Sequence, residues 1–104
     1  MMYRNRKLLD LAHKVTECQF RLPGCAGFST GCEPAHSNQL RHGKGMGCKA
    51  HDHRHVASCH HCHMTYDGQI KHAIDRPDLD QYWQEGWDRT IDLYFQNGWI
   101  EVLK

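Results

Sequence analysis

The chain of 104 residues lacks any long apolar run: its hydrophobic stretches are only a few residues each. A bilayer-spanning helix needs ~20 consecutive apolar residues, so no membrane span is expected. Residues Met1 to Val15 are broken by Arg4, Arg6, Lys7 and Asp10 and contain no h-region, which argues against an ordinary secretory signal. Proline is scarce, at three residues, and there is no internal repeat, low-complexity tract or linker, so one small domain is expected. No charge sign dominates, the net charge being +1. Charged residues at 24% with aromatics at 10% exclude a fully disordered chain. Hydrophobic residues make up 39%, enough for a modest core, and a chain this short often needs a staple.

Cysteine and histidine are abundant instead, at six and ten residues. Without a secretory signal, such cysteines point to a reducing, cytoplasmic setting, where paired thiols more often bind metal than form disulfides. The small net charge also hides an asymmetry. Residues 1–60 carry nine Lys/Arg against four Asp/Glu, a balance of +5, whereas residues 61–104 carry four against eight, a balance of −4. The basic half invites an anionic partner, although scattered solvated charges produce the same count with no partner.

Leu8, Leu11, Ala12 and Val15 have helical spacing and predict a short helix or arm over 5–15. Residues 18–34 are rich in turn formers, and short strands are expected around His36 and over 53–58, on either side of a glycine-rich loop at 43–49. A turn and a short helix, weakened by Gly68, should follow Cys59. Tyr82/Trp83, Gly86/Trp87, Thr90/Ile91 and Tyr94/Phe95 recur every four residues and predict a helix from about Asp80 to Gln96. Pro77 suits its first turn, Asn97-Gly98 its stop, and Trp99, Ile100 and Val102 a tail that packs back. These aromatics could stack on bases, but at this spacing they are expected to form core, with Trp83, Trp87, Ile91 and Tyr94 facing inward. The domain thus divides into an arm or helix at 1–16, a central part at 17–72, and a C-terminal helix and tail at 77–104.

The strongest local motif is Cys59-His60-His61-Cys62, whose C-x-x-C spacing puts two thiolates on one turn. Cys18 and Cys25 are the best remaining donors for a tetrahedral zinc, since Pro23-Gly24 can fold them together. Cys25/Cys32 has the same spacing and competes, and His60 or His61 could replace a thiolate. Four thiolates make a closed, structural site with no open position for chemistry. A second group is His63 and Asp67, four residues apart and so on one helix face, where they could share a divalent cation. An ordinary surface contact would look the same. Zinc would draw residues 18–25 and 59–62 together, which could bring His36 close to His63.

In order and spacing, Glu17-Cys18-Gln19, Arg21-Leu22-Pro23-Gly24 leading to Cys25, Ala35-His36, Gly45-x-Gly47-x-Lys49-x-x-Asp52 and Cys59-x-x-Cys62-His63-x-x-x-Asp67 resemble the HNH, or ββα-metal, nucleases. The likeness is to a small prophage-encoded group of them, the YbcO-like proteins. It runs from Glu17 to about Asp67 and continues more weakly through Glu85-Gly86 and Asn97-Gly98-Trp99-Ile100. The resemblance implies a small zinc-stabilised α+β domain with flanking helices, in which a β-hairpin and a helix clamp a catalytic divalent cation such as Mg2+ or Mn2+. It makes His36 the general base, His63 a metal ligand, and Asp67 the later metal-binding residue, while Asp52 lies near an Asn that usually braces the loop. Two residues depart from the pattern. Ala35 stands where many such nucleases place an Asp or His ligand, and Asp52 is not Asn. Water, Glu33 or Asp52 would then complete the metal's ligands.

The residue types suit phosphodiester hydrolysis. A His near pKa ~6.5 can take a proton from water at neutral pH. One cation can stabilise the leaving oxygen. Arg41, Lys44, Lys49 and Arg54 could hold phosphates, and Gly43, Gly45 and Gly47 would let backbone approach the strand, although such a loop can also be merely flexible. The expected function is a metal-dependent DNA endonuclease in phage or prophage DNA processing or recombination. The alternatives are a non-catalytic zinc module that binds nucleic acid or protein, and a histidine-rich metal buffer.

Overall fold

The computed structural model describes residues 3–28, 31–45 and 48–101. Gly47 and Val102, named above, lie outside the described residues. The chain forms a short helix α1 (Arg6–Asp10), strands β1 (Glu33–His36) and β2 (His55–Ser58), helix α2 (His60–Tyr66) and a long helix α3 (Arg76–Gln96). This is a small α+β arrangement in which β1 and β2 pair antiparallel, with Glu33 opposite Ser58 and His36 opposite His55. Helix α2 follows β2 after a single residue, Cys59. Among the described residues, no helix is long and apolar enough to cross a membrane.

Three expected boundaries change. The N-terminal segment is not one helix over 5–15: α1 ends at Asp10 and a tight 3-10 turn, Leu11–Lys14, takes over. Val15 is then extended because its carbonyl accepts from Cys32 N at 2.9 Å. Gly68 does not weaken α2 from within. The helix stops at Tyr66, Asp67 caps it, and Gly68 takes the left-handed backbone (φ 83°) that glycine adopts without steric cost. Helix α3 begins at Arg76, four residues before Asp80, with Asp75 as its N-cap and Pro77 in the first turn, where a missing N–H costs nothing.

The core has two parts. One gathers Phe20, Leu22, Ala35, Val56, Tyr66, Leu79 and Trp83 around Cys18, Cys59 and Cys62. The other gathers Ala12, Val15, Cys32, Ala57 and Tyr94, with Ile91, Trp99 and Ile100 packed against them. Val56 serves the first and Ala57 the second, as strand alternation requires. The aromatic stripe of α3 is core: Trp83 and Tyr94 are fully buried, Trp87 and Ile91 are half-buried, and Phe95 is exposed. Their polar ends pin the hairpin. Trp83 Nε1 donates to Ala35 O at 3.1 Å, Trp87 Nε1 donates to His53 O at 2.8 Å, and the Tyr94 hydroxyl lies 2.9 Å from His55 Nε2. Helix α3 approaches the hairpin and the preceding loop closely at Gly86, where a Cβ would sit 2.9 Å from Gln19 O and 3.0 Å from Val56 Cγ1. Four residues on, Thr90 Oγ1 donates to Gly86 O and accepts from Ala57 N.

Candidate functional site

Cys18, Cys25, Cys59 and Cys62 come together, their sulfurs all within 4.8 Å of one another. The Cys25 and Cys59 sulfurs are 3.8 Å apart, which matches the ~3.8 Å edge of a tetrahedron with ~2.3 Å Zn–S bonds. Local backbone builds the cradle. Cys25 N donates to Leu22 O at 2.9 Å, closing the Pro23-Gly24 turn that folds Cys25 back toward Cys18. Cys18 Sγ accepts from Cys59 N at 3.3 Å, Cys25 Sγ from Gly27 N at 3.1 Å, and Cys59 Sγ from Cys62 N at 3.5 Å. The hydrogen bond from Cys62 is the main influence holding the Cys18 thiol down to about 4, against the effect of burial, and the same contact pushes Cys62 up. Clustered sulfurs that accept backbone N–H bonds form a donor set suited to a thiophilic metal such as zinc. Cys32 is not in the set: it is buried in the second core and its sulfur points to Glu17 O at 3.7 Å, while Cys48 is exposed. Neither His60 nor His61 replaces a thiolate.

A cavity of about 460 Å³ lies beside this corner, and its wall includes His36, His63, Asp67, Lys44 and Lys49. Strand β1 supplies His36, and the middle of α2 supplies His63 immediately after Cys62. His63 is held on both sides. Its Nδ1 lies 2.5 Å from Glu33 Oε2, and its Nε2 lies 3.3 Å from Asp67 Oδ2. Burial alone would lower the His63 pKa, but Asp67 and Glu33 together raise it. Glu33 also meets His60 Nδ1 at 2.9 Å, and the two imidazoles keep its carboxyl low despite burial. Asp67 Oδ1 faces Asn38 Nδ2 at 3.4 Å. Asn38 is anchored in turn, its N–H donating to the Tyr66 hydroxyl at 2.8 Å.

His36 Nε2 lies 3.0 Å from Asp52 Oδ1. Burial lowers the His36 pKa, and Asp52 reverses this only in part. Asp52 does brace the loop. Its Oδ2 accepts from Asn5 N at 2.6 Å, and Arg4 donates at 3.2 Å to Oδ1, the oxygen that also faces His36, while reaching Ala50 O and Lys49 O. The N-terminal arm therefore locks the carboxylate that orients His36, a contact across 47 residues for which the sequence holds no local signal. Ala35 is buried, and its carbonyl is occupied by Trp83. Among the four predicted phosphate-binding cations, Lys44 and Lys49 line the cavity. Arg41 donates to Gln39 Oε1 at 2.7 Å, and Arg54 lies over the Trp87 ring, 4.9 Å from its centroid.

No family model and no curated protein matches the chain. A solved structure does. The chain is similar to a candidate bacteriophage protein from Escherichia coli str. K-12 substr. MG1655, with a TM-score of 0.67 and 26% identity over 88% of this chain and 99% of that one.

Proposed function

We propose that the protein is a metal-dependent DNA endonuclease of the HNH, or ββα-metal, type, acting in the processing of phage DNA. The observation that carries this reading is the single cavity lined by His36, His63 and Asp67 together with Lys44 and Lys49. The β1–β2–α2 order and the thiol corner preceding His63 support it, and the likeness to a candidate phage protein supports the phage setting.

His36 acts as the base through Nδ1. With Nε2–H donating to Asp52, the Nδ1 lone pair is left for water, and burial keeps the ring neutral at pH 7. Glu33 accepts from His63 Nδ1 and thereby turns the Nε2 lone pair toward the Asp67 carboxylate, making a nitrogen and oxygen donor pair. His63 Nε2 and Asp67 would hold a divalent cation, which would supply charge stabilisation to the scissile phosphate and its leaving oxygen. Lys44 and Lys49 hold the flanking phosphates.

The test is nicking of supercoiled plasmid with added Mg2+, Mn2+, Ni2+ or Zn2+. His36→Ala should fold, keep its zinc and bind DNA, yet cleave ~100-fold more slowly, the usual scale for a lost acid–base group. As pH falls, the cation concentration needed should rise first, as His63 takes a proton, and the rate at saturating cation should fall further into acid, as His36 does. No nicking with any of these metals, or a wild-type rate for His36→Ala, overturns the reading. It would leave the non-catalytic zinc module. Two observations favour that alternative: Ala35 offers no ligand, and among the described residues only the four thiols bring three or more metal-binding side chains within 4.8 Å.

A further inference from the structure

The cavity beside His36 and His63 does not end at its own walls. A cavity of about 330 Å³ adjoins it on one side, sharing Leu9, His36 and Lys49. Another of about 490 Å³ adjoins it on the other side, sharing Asn38, Lys44 and Asp67. The shared walls set the three cavities in a row, a candidate groove, and each outer cavity adds an exposed arginine: Arg6 from the start of α1 and Arg76 from the start of α3.

The charges along this groove are of unequal availability. Its carboxylates are engaged, Asp52 by Arg4, Asn5 and His36, and Asp67 by His63 and Asn38. Among the described residues, Arg6, Lys44 and Lys49 have no carboxylate within 4.0 Å. Arg76 has only a long contact of 3.6 Å to Asp80 and a 3.4 Å bond to Asn38 O. Three of the four cations thus lack a close carboxylate partner, and the fourth, Arg76, keeps only a long one to Asp80. A cavity of similar size, about 460 Å³, lies between the Pro23 turn and α3 and carries Asp75, Asp78 and Glu85 instead. Cavities of opposite sign on one small domain make a polyanion select the row that carries the four cations.

Building on the nuclease reading, we infer that the phosphodiester backbone of a DNA strand runs the length of this groove, past Arg6, Lys49, Lys44 and Arg76 in that order, and that Arg6 and Arg76 bind phosphates on opposite sides of the scissile bond. Arg41 and Arg54 lie outside this track, one held by Gln39 and the other stacked on Trp87.

The experiment is fluorescence anisotropy of a short labelled DNA duplex with the zinc-loaded full chain, over a salt series without added Mg2+ or Mn2+. Each phosphate contact adds ~0.9 to the slope of log K against log salt. Arg6→Gln and Arg76→Gln should each flatten that slope by ~0.9, and the double variant by about twice as much. Lys14→Gln removes a charge that sits over the Trp99 ring, at 5.1 Å, and should leave the slope unchanged. The inference is overturned if the wild type does not bind, if neither arginine variant changes the slope, or if Lys14→Gln flattens it equally. Its failure is separable from that of the nuclease reading. Flattened slopes in a protein that nicks no plasmid keep the groove and remove the enzyme, whereas nicking with unaltered slopes keeps the enzyme and removes the groove.

Discussion

The thiol corner and the histidine cavity share one turn, Cys59 to His63, yet they are held together in opposite ways. In the corner, sulfur meets sulfur: the Pro23-Gly24 turn shapes one pair of thiols and the start of α2 the other, and the two pairs meet across 34 residues at Cys25 and Cys59. In the cavity, each imidazole is steered by a carboxylate from elsewhere: His63 by Glu33, 30 residues away, and His36 by Asp52, itself tied to Asn5. The corner is a closed set of like donors that suits one thiophilic metal. The cavity is open, with mixed donors and free lysines, the arrangement expected where a ligand must enter and leave. The difference teaches that like donors can be prepared in local pairs before the fold joins them, whereas each imidazole here takes its orientation from a carboxylate of a distant segment.

The largest effect should come from breaking the corner. Structural zinc contributes ~10–16 kcal/mol of apparent binding in small domains, so Cys62→Ala should lose both metal and folded structure. Cys48→Ala, at an exposed position, should keep both. Metal analysis with circular dichroism checks this, and zinc retained by Cys62→Ala would detach the cavity from the corner.

Trp83 joins the two regions, since it is buried among the cysteines and bonded to the carbonyl next to His36. Trp83→Ala should cost ~3–5 kcal/mol in urea unfolding, and half-buried Trp87→Ala less. Equal costs would mean that α3 does not hold the hairpin through Trp83.

Acid should act on the histidine side. Burial pushes His55 from 6.5 to about 4, and its ring nitrogens are engaged by Asp52 O and the Tyr94 hydroxyl. The unfolded chain takes up this proton first, so the contribution to stability is complete above pH ~6.5 and is lost as pH falls toward 4. It amounts to about 3 kcal/mol. NMR titration of His55 checks it, a midpoint near 6.5 being the contrary result.

The smallest effect is expected at the cation donors. Asp67→Ala should raise the Mg2+ or Mn2+ concentration needed for half-maximal nicking ~10-fold while sparing the maximal rate more than His36→Ala does, because a lost ligand weakens binding before it alters proton transfer. A lower maximal rate with unchanged metal demand would move Asp67 from holding the cation to another role.

By itself the sequence determined the local features. The four-residue recurrence of aromatics marked α3 as core, C-x-x-C marked half of the metal corner, and the glycine-rich loop at 43–49 separated the short strands expected around His36 and over 53–58, because each depends on neighbours a few residues apart. Helix ends were less legible. Val15 is extended because Cys32 pairs with it, and no propensity in 5–15 encodes a partner 17 residues downstream. Cys32 could not be separated from Cys18 by spacing alone; burial in the second core decided it. Tertiary structure alone decided that Glu33 turns His63, that Arg4 and Asn5 lock Asp52 behind His36, and that Lys44 and Lys49 face the cavity while Arg54 stacks on Trp87. Those contacts join residues far apart in the chain, and a side chain's direction there follows from the packing of α3 and α2 on the hairpin, which no short stretch of sequence specifies.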